Sequence, residues 1–250
     1  MISFIVQARS GSTRLPNKIL LPFYRGQSIL DLLIAKLKKV DGTNIIIATS
    51  SNPNCDSIEK VAAENGVLCF RGSENDVLQR FIDAAESQNT ENIIRVCSDN
   101  PFLELDSIKK LVSKVSSFEK PIDYVSFNIG GTPSIKTHYG FWTEYVTLPA
   151  LKKIKALTND SIYHEHVTNY IYSHPEQFAI HWIEGPKSVL DNPDIRLTID
   201  TEADFLNAKK IYKDCCACNP YPTIDEVISF LNRNKDFYLS MKQQISINSK

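Results

Sequence analysis

The sequence predicts an α/β protein with a mainly parallel central sheet flanked by helices. Three observations carry that reading. Short apolar runs of strand length alternate with amphipathic stretches of helical period through the first 128 residues, the pattern of successive βαβ units. The 250 residues include 42% apolar and 23% charged side chains, close to the globular average and remote from a disordered composition. A chain of this length buries roughly three quarters of its unfolded surface, so it holds a core without disulfide or metal staples.

Residues 2–6 open the chain as a short apolar run, as expected of a strand buried on both faces. Over 28–40, Ile29, Leu32, Leu33, Leu37 and Val40 fall on one side and lysines on the other, which is helical. Residues 44–49 read as strand and 56–65 as helix, ending on Gly66, a residue suited to the left-handed position after a helix. Strand over 67–70, helix over 75–88, strand over 92–97, helix over 105–117 and strand over 123–128 complete five strands interleaved with four helices.

Beyond Ile129 the pattern changes. Residues 130–134 form a loop, 139–146 are aromatic and strand-like, and 147–158 and 161–173 have helical patterns. Two further strands are expected over 178–183 and 195–199, then helices over 202–214 and 223–241 and a frayed tail over 243–250. No Ser/Gly/Pro-rich linker and no internal repeat divides the chain, so one domain over 1–242 is expected, its second half elaborated over about 129–185.

With 28 basic against 29 acidic residues, the net charge of −1 gives no electrostatic means of coating nucleic acid or an anionic membrane. No apolar run approaches the ~20 residues that a membrane helix needs. The N-terminus carries no basic residue ahead of its apolar stretch, so no secretory signal is expected and the protein reads as cytoplasmic. Cys69 and Cys97 sit in apolar runs as small core residues. The Cys215-Cys216-Ala217-Cys218 cluster has no second Cys/His pair nearby, so a zinc site is not expected there.

Chemistry concentrates at the carboxyl ends of the strands. The first strand leads into Gln7-Ala8-Arg9-Ser10-Gly11-Ser12-Thr13-Arg14-Leu15-Pro16-Asn17-Lys18, with three cations and no acid. Gly11 lets a ligand approach the backbone, and Ser12 and Thr13 add hydroxyl donors. Arginine supplies a bidentate fork and lysine a mobile point charge, which together make a cradle for polyphosphate. Neither the P-loop nor the GxGxxG pattern is present. A solvated basic loop is the alternative, but the carboxyl end of a parallel strand is where ligands bind. A second strand end delivers Asp99 in Arg95-Val96-Cys97-Ser98-Asp99-Asn100-Pro101, and a third delivers Asp200 in Arg196-Leu197-Thr198-Ile199-Asp200-Thr201-Glu202-Ala203-Asp204. Asp99 alone reads also as a turn or helix cap, and in the Asp200 segment taken alone capping of the following helix by Thr201 or Asp200 is the better reading. Together, beside a phosphate cradle, they suit a divalent cation and metal-assisted phosphoryl or nucleotidyl transfer.

QARSGSTRLPNK at 7–18, RGSENDVLQRF at 71–81, RVCSDNP at 95–101 and RLTIDTEADF at 196–205 occur in an order that resembles the cytidylyltransferases activating acidic sugars. The acylneuraminate and 3-deoxy-manno-octulosonate enzymes belong there; the resemblance, over roughly residues 2–212, is strongest to the SpsF-like spore-coat polysaccharide branch. It implies a Rossmann-like nucleotidyltransferase (GT-A-like) architecture, with residues 1–128 binding the nucleotide and 129–185 serving the acceptor and a homodimer contact. CTP is then the donor and Mg²⁺ the cofactor, held by Asp99 and Asp200. Arg9, Arg14 and Lys18 match triphosphate-binding positions, with Ser12 as an added donor and Ala8 small enough for cytosine to approach the backbone. Arg71 matches a nucleotide-pocket position, continued by Asp76 and Arg80. On the acceptor side fall Glu144, Glu165 and His166. Arg14, Lys18, Asp99 and Asp200 are the expected catalytic set.

One departure bears on the acceptor. Where the branch shows Gly-Leu-Asp-Val-Glu-Val, this chain has Gly140-Phe141-Trp142-Thr143-Glu144-Tyr145-Val146, with Trp142 in place of the inner acid. No arginine lies between Arg95 and Arg196, so an acceptor carboxylate falls to Lys136, His138 or a partner subunit. The expected reaction is transfer of CMP from CTP to an acidic sugar or related acidic metabolite, for surface polysaccharide. Cytidylyl transfer to a non-sugar acceptor such as a phosphorylated amino-acid derivative, a glycosyltransferase of related fold, and a non-catalytic nucleotide-binding module are the alternatives.

Overall fold

The computed structural model describes residues 2–217 and 219–248. In chain order, β1 (Ile2–Gln7) is followed by a hairpin of β2 (Pro22–Tyr24) and β3 (Gln27–Ser28), then α1 (Ile29–Leu37) and β4 (Thr43–Ser50). Next come α2 (Asp56–Glu64), β5 (Leu68–Gly72), α3 (Val77–Ser87), β6 (Asn92–Cys97), α4 (Leu105–Ser116) and β7 (Tyr124–Ile129). The second half adds β8 (Thr132–Pro133), β9 (Glu144–Thr147), α5 (Leu148–Leu157), α6 (Ser161–Glu165) and α7 (Asn169–Ser173). β10 (Ile180–Glu184), α8 (Lys187–Leu190), α9 (Glu202–Cys215), α10 (Ile224–Arg233) and α11 (Asp236–Ile247) follow.

The main sheet runs β10-β7-β9-β6-β1-β4-β5, with β8 paired to β7. β5, β4, β1 and β6 are mutually parallel, and β9 inserts antiparallel between β6 and β7. The mixed, mainly parallel sheet flanked by helices is the architecture the alternating pattern predicts. β1 is apolar throughout because both of its faces are covered. Phe4 and Val6 enter one core with α1, α4 and α9, while Ile5 enters a second core with α3 and α5. Ser28 starts α1 with a capping box: its hydroxyl accepts from Asp31 N at 3.2 Å, and the Asp31 carboxylate accepts from Ser28 N at 2.9 Å.

Several expected elements differ. Residues 195–199 join no strand, although Ile195, Leu197 and Ile199 are buried. Their amides bond to loops instead: Leu197 N to His138 O at 2.9 Å and Ile199 N to Asp99 O at 3.0 Å. Gly140 makes that approach possible: its φ is +71°, and a Cβ there would lie 3.2 Å from the Leu197 and Thr198 backbone. In the aromatic run 139–146, only Glu144 onward pairs as strand. Trp142 packs as core, stacked on Phe127 with ring centroids 5.5 Å apart. The helix expected over 161–173 is two, parted where His166 leaves helical geometry, and the one over 223–241 breaks at Asn234. Residues 243–247 are not frayed but complete α11. Cys215 and Cys216 close α9, while Cys218 lies outside the described residues. Among the described residues, no helix is long and apolar enough to cross a membrane.

Candidate active site

Three chain segments distant in sequence meet at the carboxyl end of β1. The loop after β1 folds around one carbonyl: Ser10 O accepts from Ser12 N at 2.9 Å and from Asn17 N at 3.1 Å. Asn17 takes the left-handed conformation that reverses the chain, φ 57°, a role asparagine tolerates well. Lys18 follows at once and turns back under the loop. The turn after β6 is tied to the same strand, because Ser98 donates both its amide (3.3 Å) and its hydroxyl (2.6 Å) to Gln7 O. The Ile199 N–Asp99 O bond then brings Asp200 beside Asp99.

At their junction Lys18 Nζ lies 3.1 Å from Asp99 Oδ2 and 3.9 Å from Asp200 Oδ1, and it donates to Ile199 O. Arg14 reaches Asp200 Oδ1 at 3.2 Å and donates to Asn248 at 2.9 Å. Neither aspartate caps a helix. α9 is capped by Thr201 with Asp204 as its capping-box partner, and Glu104 occupies the position before α4. Behind Asp200 stands Arg196, its side chain wholly buried. It donates to Asp200 Oδ2 at 2.9 Å, to both Asp204 oxygens (2.8 and 2.9 Å), and to His138 Nδ1 at 2.7 Å. Burial would push the Asp204 carboxyl up, but the Arg196 charge and the Thr201 and Asp200 amides outweigh it and hold it below the usual carboxylate range.

The cleft above this junction has a volume of about 770 Å³. Arg9, Ser12, Arg14, Lys18, Asp99 and Asp200 line it together with Lys136, Glu165 and His166. Arg9 and Glu165 approach across the cleft to 3.8 Å. Other expected residues lie elsewhere. Ala8 is fully buried in the core, bonded through its amide to Ala48 O. Arg71 is held away from the cleft by Asp56 (2.7 Å) and Glu59 (2.8 Å), and by the carbonyls of Ser50 and Asn52. Asp76 caps α3 and takes contacts from Lys155 and His164, which ties α3 to α5 and α6. Arg80, 1% exposed, supports the 73–74 carbonyls, and its Nε and Nη2 find no partner among the described residues. His138 sits behind the cleft on Arg196.

Glu144 is also not at the surface. It stands opposite Arg95 in the β6–β9 register and accepts from Arg95, from Tyr124 and, at 2.7 Å, from Thr168. A buried carboxylate needs such donors, so its position is fixed by charge pairing and not by an acceptor. Arg95 itself does line the cleft, where Nη2 donates to Gln7 Oε1 at 2.9 Å. Its sequence signal was a charged residue inside an otherwise apolar buried strand. Asn248 carries no such signal; α11 simply delivers it to the cleft mouth.

Asp99 and Asp200 offer carboxylate oxygens close enough to share one ammonium. Such hard oxygen donors fit Mg²⁺, which commonly takes one or two carboxylates and completes its shell with phosphate and water.

The cytidylyltransferase family profile matches residues 3–244. The chain belongs to the cytidylyltransferase family. Across 94% of this chain and 95% of the relative, it is 35% identical to the spore coat polysaccharide biosynthesis protein SpsF of Bacillus subtilis. The 3-deoxy-manno-octulosonate cytidylyltransferase of Photorhabdus laumondii is 27% identical, over 46% of this chain and 47% of that one. A cytidylyltransferase structure from Leptospira borgpetersenii superimposes with a TM-score of 0.82, covering 95% of this chain and 96% of the other at 27% identity. As in the cytidylyltransferase fold, the sheet is mixed and mainly parallel.

Proposed function

We propose that this cytidylyltransferase moves CMP from CTP to an acidic sugar or related acidic metabolite, releasing pyrophosphate, in surface polysaccharide assembly. The observation that carries it is the meeting of Arg14 and Lys18 with Asp99 and Asp200, three remote segments at one strand end. The SpsF relative supports the polysaccharide setting, and the 3-deoxy-manno-octulosonate relative supports an acidic sugar.

In this reading Arg9 and Arg14 bind the outer phosphates as planar forks and Lys18 follows them as a point charge. An acceptor hydroxyl oxygen attacks the α-phosphorus in line, its proton passing to solvent water. A new P–O bond forms as the bond to the bridging oxygen of the β-phosphate breaks, and pyrophosphate leaves with that electron pair. Charge accumulating on the leaving group is stabilised by Arg14 and Lys18, so positioning and electrostatics supply the catalysis. Mg²⁺ held by Asp99 and Asp200 would neutralise phosphate charge. Lys136, which lies over the Tyr172 ring at 5.8 Å, takes the acceptor carboxylate, and His166 lines the same cleft.

Incubation of the purified protein with CTP, Mg²⁺ and a panel of acidic sugars, read by ³¹P NMR, tests this. The expected result is pyrophosphate and a CMP phosphodiester that appear only with an acidic acceptor. Pyrophosphate formed equally with UTP, or no product with any acid, refutes it.

A further inference from the structure

The Lys18 side chain is only 12% exposed; its ammonium donates to Asp99 Oδ2 and Ile199 O and faces Asp200 Oδ1 as an ion pair at 3.9 Å. Asp200 is saturated with positive charge, since Arg14 and Lys18 face Oδ1 and Arg196 holds Oδ2. Counting Asp204, three carboxylates meet three cations here. A divalent cation approaching this cluster alone finds no net negative charge, and Asp99 Oδ2 and both Asp200 oxygens already face cations.

We propose that Lys18 is the counter-ion of the metal site in the nucleotide-free protein, and that it makes metal binding conditional on nucleotide. The inference rests on the proposed function. Phosphates entering the cleft give the ammonium a new partner. Its departure exposes Asp99 and Asp200, and lysine suits the exchange because its charge rides on a flexible four-carbon stem. Arg196 cannot follow: it is wholly buried and bidentate on Asp204, so it fixes Asp200 while Lys18 moves. Metal and nucleotide therefore bind as a linked pair, each strengthening the other by the same factor.

Mn²⁺ alone, titrated into the protein and followed by EPR, tests the idea without turnover. Lys18→Met keeps the length of the side chain and removes its charge; Lys18→Gln is the second variant should the first fold poorly by circular dichroism. Either should bind Mn²⁺ without nucleotide roughly tenfold or more tighter than the wild type, a step within the range usual for linked sites. The gain should vanish in Asp99→Asn/Lys18→Met. Equal Mn²⁺ affinity in the wild type and both variants overturns the proposal, as does a gain that survives loss of Asp99. Calorimetric CTP titration of the wild type with Mn²⁺ separates the two readings: CTP that fails to bind refutes the function, whereas CTP that binds beside an unchanged Mn²⁺ affinity refutes only the role of Lys18.

Discussion

Replacing Glu144 with glutamine tests whether the floor of the cleft is built on a dry ion pair. The Arg95 and Glu144 side chains are 6% and 2% exposed, and the carboxylate also serves Tyr124 and Thr168. Glutamine keeps the size, but the Arg95 charge is then buried without a counter-charge. Its Nε already finds no partner among the described residues, leaving Gln7 to hold Nη2. Breaking one half of a buried pair costs about 3–5 kcal/mol, a large part of the roughly 5–15 kcal/mol that holds a domain together. At roughly 2–4 °C per kcal/mol for a chain of this size, the melting temperature should fall by about 6–20 °C. Urea unfolding followed by tryptophan fluorescence and circular dichroism measures the loss. The double variant Arg95→Met/Glu144→Met, which buries no charge, should recover much of it. A loss under about 1 kcal/mol in Glu144→Gln would mean that water reaches the pair, and a double variant no better than the single would mean that the unpaired charge was not the cause.

Asp99→Asn should slow pyrophosphate release at least about a hundredfold while melting within a few degrees of the wild type, because the side chain serves the cleft and not the core; a wild-type rate sinks the assignment. Lys36 is buried, donates to Pro101 O at 3.1 Å and to Leu103 O, and burial pulls its amine from 10.5 to about 8. Between those values the unfolded chain holds a proton that the folded one has lost, so the Lys36 contribution to stability rises with pH. The melting temperature of the wild type relative to Lys36→Met should therefore climb from pH 8 to pH 10 in parallel thermal scans; a constant gap refutes the buried-amine account.

Sequence periodicity located the main-sheet strands and the four helices of the first 128 residues, though not the short β2–β3 hairpin, because a parallel strand covered on both faces must be a continuous apolar run. The same signal misplaced residues 195–199, which are equally apolar and equally buried. Periodicity reports burial, not which backbone accepts the hydrogen bond, and here the acceptors are the carbonyls of His138 and Asp99. The break at Asn234 left a trace, since asparagine is a common helix stop, whereas His166 parts α6 from α7 with no glycine or proline to announce it. In the cleft, cations clustered in one loop were legible because nothing in the loop neutralises them. Arg71 and Asp76 were not separable from them, because a family pattern retains residues that tie loops together alongside those that face a ligand. Arg71 clamps the segment after β4 and Asp76 starts α3, both away from the cleft.

The pairing of the loop cations says how the cleft must work. Arg9 meets Glu165, Arg14 meets Asp200, and Lys18 meets Asp99 and Asp200. On the proposed reading, a polyphosphate would not fall into an open positive hole; it would exchange protein carboxylates for its own oxygens. The exchange is graded by burial. Arg9 and Glu165 are each about half exposed and 3.8 Å apart, a contact of the kind that contributes well under about 1 kcal/mol, so the cleft opens there at little cost. Arg196 and Asp204 are nearly dry and bidentate, and parting them would strand charge in the interior. Pairs at the rim should yield and the pair at the base should not, so on the proposed reading an incoming nucleotide would displace Glu165 before it disturbs Asp200, and the acid that must stay in place is the one with the buried arginine behind it.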